Sequence, residues 1–125
     1  MPQKLILIID DDNRNIFALK AVLKAKGFDC LSAISAQEGF SIMEKHDNVA
    51  IVLMDMMMPD MDGYQAISVM KKSARMQNIP VLAVTAQAMV GDKERCLSAG
   101  ASGYVSKPIN VDELLLQIEN FTNNR

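Results

Sequence analysis

The chain has 125 residues, half of them hydrophobic and 22% charged, with a formal net charge of −2. That length suffices for one domain with a substantial core, and the composition carries no signature of disorder. Thirteen lysines and arginines are scattered without a basic run, which argues against direct binding of nucleic acid, and no segment approaches the ~20 apolar residues that span a bilayer.

A continuous apolar run at Leu5–Ile9 (LILII) predicts a first strand buried on both faces. Ile16, Leu19 and Leu23 follow at i, i+3, i+7 of a helix, with Gly27 where a cap belongs. A weaker run at Phe28–Ser32 predicts a second strand, and Ala36, Phe40 and Met43 line one face of a second helix. Ala50–Met54 (AIVLM) is the third strand; Asp62 then stands as N-cap of a third helix marked by Ile67 and Met70. Val81–Val84 (VLAV) is the fourth strand, followed by a helix from Gln87 to Ala99 that Gly100 ends. Gly103–Val105 is a short fifth strand, and Val111, Leu114, Leu115 and Ile118 mark the last helix. Five strand–helix repeats predict an α/β fold: a doubly wound parallel sheet in a three-layer sandwich, with one domain over residues 1–125.

In such folds the functional groups gather where the strands end at their carboxyl side. The first strand runs into Asp10, Asp11 and Asp12, and the third into Asp55. The fourth runs into Thr85, and the fifth into Ser106, Lys107 and Pro108. Several carboxylates on one rim repel one another, and a single lysine cannot balance them. A hard divalent cation can, and carboxylates with water suit Mg²⁺. Mg²⁺ beside a carboxylate, a lysine and a hydroxyl is a set suited to phosphoryl transfer, with Lys107 and Thr85 meeting the phosphoryl oxygens. Asp55 stands alone at its strand end and is the candidate nucleophile, while Asp10 and Asp11 form the metal-holding pair.

The acidic pair in IIDD, the lone aspartate in DMMMPDMDG, the Thr-Ala after strand four and the Lys-Pro after strand five occur in order over the whole chain. This pattern resembles the receiver domain of two-component response regulators. The resemblance implies that Asp55 is the phosphoacceptor, taking a phosphoryl group from a phosphohistidine on a sensor histidine kinase or a histidine phosphotransfer protein. It implies that Asp11 and Asp55 ligate Mg²⁺ directly, that Asp10 acts mainly through water, and that the Met57 backbone carbonyl completes the site. Lys107 would pair with phosphoryl oxygens, and the Lys107–Pro108 peptide would be cis. Thr85 would reach toward the phosphoryl group and Tyr104 would move inward behind it, changing the face formed by helix four, strand five and helix five. The family also implies a flavodoxin-like strand order of 2-1-3-4-5. It implies a signalling domain rather than an enzyme, with only self-catalysed phosphorylation and dephosphorylation, and leaves room for a phosphorylation-dependent homodimer. Residues two beyond the phosphoacceptor and the threonine, Met57 and Gln87 here, tune dephosphorylation in this family.

Other conspicuous residues have simpler readings. Asp12 belongs to a helix N-terminus, Asp60 and Asp62 to a turn and a cap, and Tyr104 also to partial packing. His46, in MEKHDN, reads as a solvated residue at a helix end. Cys30 and Cys96 are far apart, lack CxxC or Cys/His pairing, and read as buried small hydrophobes in a reduced, cytoplasmic setting. Met54 should pack inward from its strand. Met56, Met57 and Met58 lie in extended chain, where neighbouring side chains point apart, so they cannot all face one soft metal. A hydrolase of the haloacid-dehalogenase type would need a second acid where Met57 stands, and a longer chain. A flavin or nucleotide module would need a glycine-rich loop after the first strand, where DDDN stands. A degenerate receiver serving as a scaffold conflicts with the intact set of Asp, Thr and Lys.

Overall fold

The structure is a computed structural model that describes residues 4–86 and 91–123. Its elements alternate: β1 (Leu5–Ile9), α1 (Asn13–Ala25), β2 (Asp29–Ala33), α2 (Ala36–Lys45), β3 (Val49–Asp55), α3 (Gly63–Lys71), β4 (Val81–Thr85), α4 (Asp92–Ala99), β5 (Gly103–Ser106) and α5 (Val111–Asn123). The strands form one parallel sheet in the order β2-β1-β3-β4-β5, the flavodoxin-like arrangement expected from the sequence.

The unbroken apolar strands follow from burial on both faces. Along β1, Leu7 and Ile9 point into a core shared with Ala36 and Met43 of α2, Ala66, Ile67 and Met70 of α3, and Cys96 of α4. Ile6 and Ile8 point the other way, onto Ile16, Leu19 and Leu23 of α1 and Leu114 and Ile118 of α5. Residues of the central strands β1, β3 and β4 therefore meet a helix whichever way they face, and polar residues appear there only where the strand ends.

Several ends differ from the sequence expectation. The β2 ladder pairs Leu5 with Asp29 and Ile9 with Ala33, so Phe28 stays outside it and the strand shifts by one residue. Asp55 and Thr85 are themselves the last strand residues, because β3 and β4 pair as far as Asp55 with Val84, and Thr85 still pairs with Ser106 of β5. Helix α4 begins only at Asp92, since Gly91 adopts a left-handed φ of 89° that a helix cannot contain; Gln87 lies outside the described residues. Gly27 has the positive φ expected just past α1. Among the described residues no helix is long and apolar enough to cross a membrane.

Candidate functional site

The site forms on the rim where β1 and β3 end, with β4 and β5 alongside. Asp10 and Asp55 are 3% and 5% exposed, while Asp11 is open to solvent. Each of the three offers a carboxylate oxygen, and these oxygens lie within 4.8 Å of one another. Hard oxygen donors gathered so closely fit a hard divalent cation and do not fit a soft one.

The chain fixes the two buried carboxylates separately. The Asp12 amide donates to Asp10 Oδ1 at 2.8 Å, and Asn15 Nδ2 donates to Asp10 Oδ2 at 3.4 Å. The Met57 amide donates to Asp55 Oδ1 at 3.0 Å. Lys107 Nζ stands 3.7 Å from Asp10 Oδ2 and 4.0 Å from Asp55 Oδ2, so one ammonium serves both buried acids. Burial pushes the Asp55 carboxyl up to about 6, against the pull of the Met57 amide; Asp10 raises it further, Lys107 lowers it, and Asp11 raises it. One oxygen of this carboxyl is held by the Met57 amide and the other faces the lysine.

The backbone around this rim is closely tied. The Met56 amide donates to the Val84 carbonyl at 3.0 Å, and the Lys107 amide donates to the Thr85 carbonyl at 2.8 Å. Thr85 is buried at the end of β4. The Lys107–Pro108 peptide is cis, as the resemblance implied. Gly63 is packed against the turn from Asp55 to Met56: a Cβ there would lie 2.7 Å from Met56 Cα and 3.0 Å from the Asp55 carbonyl oxygen.

Three comparisons bear on this arrangement. The family model for the response regulator receiver domain matches residues 6–119. The chain belongs to this family. This receiver domain is 30% identical to the polar-differentiation response regulator DivK of Brucella abortus (strain 2308) over 118 residues, which span 94% of this chain and 95% of DivK. It superposes on a putative response regulator from Chloroflexus aurantiacus J-10-fl with a TM-score of 0.90 and 27% identity, covering 98% and 99% of the two chains. The receiver domain of the sensor histidine kinase PA1611 from Pseudomonas aeruginosa PAO1, which has a magnesium ion coordinated in its active-site cleft, gives 0.87 and 27%, again covering 98% and 99%.

The remaining expectations sort by geometry. Asp12 caps α1, its carboxylate accepting from the Arg14 amide at 2.9 Å, and takes no part in the cluster. Asp60 sits in a turn at φ 65°, and Asp62 forms a reciprocal capping box with Gln65. His46 is exposed at the end of α2. Met54, Met56 and Met58 are buried in one core cluster while Met57 is 54% exposed, so Met56, Met57 and Met58 do not all face one point. Cys96 is buried, but Cys30 is only partly so, because β2 is an edge strand without a neighbour on its outer side. The sequence reading missed two residues. Asn15, in the first turn of α1, had no spacing that marked it. Asp92, which accepts from Tyr104 at 3.1 Å, lay inside the helix expected from Gln87, where nothing local marked it.

Proposed function

We propose that this receiver accepts a phosphoryl group on Asp55 from the phosphohistidine of a sensor histidine kinase or a histidine phosphotransfer protein. The observation that carries the reading is the setting of Asp55: buried beside Asp10 and Asp11, with Oδ1 held by the Met57 amide and Oδ2 turned toward Lys107. Oδ2 attacks phosphorus as the P–N bond to the donor imidazole breaks, and the imidazole leaves as the neutral ring once it gains a proton. Asp11 and Asp55, with Asp10 through water and the Met57 carbonyl, would hold Mg²⁺, which when bound neutralises charge on the transferring group. Lys107 meets a phosphoryl oxygen from the side of β5, and the Thr85 hydroxyl meets another from the end of β4.

The new group adds roughly −1.5 to −2 charge at the rim. Thr85 follows that charge, Tyr104 moves into the space it leaves, and the α4–β5–α5 face presents a changed surface to an output partner or a second copy. We assign this role to one receiver unit spanning residues 1–125, acting in the cytoplasm, with self-catalysed phosphorylation and dephosphorylation only. The set of Asp10, Asp11, Asp55, Thr85 and Lys107 on one rim favours this reading over a scaffold. Incubation with acetyl phosphate and Mg²⁺ tests it. Intact mass should show one phosphoryl group per chain, labile to hydroxylamine, absent without Mg²⁺ and absent in Asp55→Asn. Incorporation into the Asp55→Asn protein would defeat the proposal, and so would phosphate release with no phosphoryl-protein accumulating, the latter in favour of a hydrolase.

A further inference from the structure

Behind the phosphoacceptor rim, on the α4 side of the sheet, lies a second polar cluster that the proposed chemistry does not use. Asp92, the first residue of α4, is 8% exposed. Its two oxygens serve different elements: Tyr104 Oη of β5 donates to Oδ2 at 3.1 Å, and Tyr64 Oη of α3 donates to Oδ1 at 3.3 Å. No lysine or arginine among the described residues forms an ion pair with this carboxylate. A buried acid without a counter-ion depends on its hydrogen-bond donors, and here those are the two phenols.

Tyr64 is gripped further by the same helix. The Arg95 guanidinium lies 4.2 Å from its ring centroid, and Cys96 Sγ lies 3.6 Å from its hydroxyl. Asp92, Arg95 and Cys96 stand at i, i+3 and i+4, which puts all three on one helical face. Helix α4 has little else to hold it, since its buried residues are Asp92 and Cys96 alone, and Gly91 precedes it with no side-chain cap. Its seat on the domain is therefore largely polar and can be exchanged at modest cost.

We infer that Asp92 is a latch: it holds Tyr104 in its resting place by a hydrogen bond that must open before Tyr104 can move toward Thr85, and Tyr64 holds Asp92 in position for that task. This rests on the switching role proposed above. Tyr104 pairs with Ala83 in the β4–β5 ladder, two residues before Thr85 and on the same side of β4. A phenol ending on Asp92 in the first turn of α4 cannot also fill space at the end of β4. Asp92 is thus a positioning residue. The balance it sets is between a closed α4, tied to α3 and β5 through one carboxylate, and an open one.

The chain contains two tyrosines, so ¹³C-tyrosine labelling reports on the cluster directly, and Tyr64→Phe assigns the Tyr104 signal. Spectra of the wild-type protein without and with Mg²⁺ and beryllofluoride, a phosphoryl mimic, define the resting and switched positions. Asp92→Asn keeps the volume but weakens the acceptor. Its resting Tyr104 signal should move toward the switched position, and its beryllofluoride midpoint should fall by about tenfold, the lower end of what a hydrogen bond to a charged group is worth. Tyr64→Phe should shift both in the same direction by less. A residue with only a structural role would lower the melting temperature and leave the Tyr104 position unmoved. If both variants keep the wild-type resting position and midpoint while the wild type switches, the latch is refuted and the phosphoacceptor reading stands. If the wild-type Tyr104 signal stays in place although ¹⁹F spectra show beryllofluoride bound, the switching role fails and the latch with it.

Discussion

A carboxylate buried beside two others is held at a disadvantage until something positive arrives, and Asp55 is such a group. Its folded-state value of about 6 lies above the ordinary 3.8 for an aspartate, with burial as the main cause. Between those values the folded chain binds more protons at Asp55 than the unfolded chain does. Stability from this residue is therefore greatest at low pH and falls as pH rises through that window, the opposite of a salt-bridged aspartate. Asp10 and Asp11 face the same oxygens and sharpen the loss, and Lys107 limits it. In the presence of a chelator, thermal melts should show Asp55→Asn more stable than wild type at pH 7, by about 1–2 kcal/mol once solvent at the rim is allowed for. The difference should shrink to nothing as pH falls to about 4. A wild-type protein that loses stability relative to the variant as pH falls from 7 to about 4 would contradict the assignment of strain to this carboxylate.

Each element reached the site by a different route, and that governs how much could be read in advance. Strands β1, β3 and β4 are buried on both faces and announce themselves as apolar runs. Edge strands β2 and β5 carry Asp29, Ser32 and Ser106, which weaken their apolar runs, and every strand but β1 has an end displaced by a residue. Helix α3 was legible at its start because Asp62 and Gln65 cap it reciprocally. Helix α4 was the least legible, since what holds it is a buried acid meeting two tyrosines 28 and 12 positions away in sequence. No local period encodes such a contact. The tie between α3 and the strand end at Asp55 was equally invisible, because it depends on a missing side chain. Gly63→Ala would drive a Cβ against Met56 Cα and the Asp55 carbonyl, and backbone cannot step aside as a flexible side chain can. The substitution should cost about 1–3 kcal/mol in denaturant melts, the usual penalty of overpacking. It should also weaken Mg²⁺ binding, since relieving the clash moves the strand end that carries Asp55.

At the scale of the whole molecule, the site exists only when the chain is folded. Asp10 and Asp11 come from the end of β1, Asp55 from β3 and Lys107 from beyond β5, and only the 2-1-3-4-5 order sets these ends side by side. The unfolded chain has no such cluster, so an ion that binds it stabilises the fold by mass action, by about 2.7 kcal/mol at a hundred times its dissociation constant. This linkage separates a built cation site from general surface acidity. Added MgCl₂ should raise the melting temperature progressively, by several degrees near saturation, over NaCl of matched ionic strength. Asp11→Asn and Asp55→Asn should each abolish most of the rise. Asp60→Asn is the control: Asp60 lies in an exposed turn at positive φ, where asparagine is well tolerated, so the full rise should remain. A Mg²⁺-dependent rise that survives loss of Asp11 and of Asp55 would place the ion elsewhere and remove the metal from the proposed chemistry.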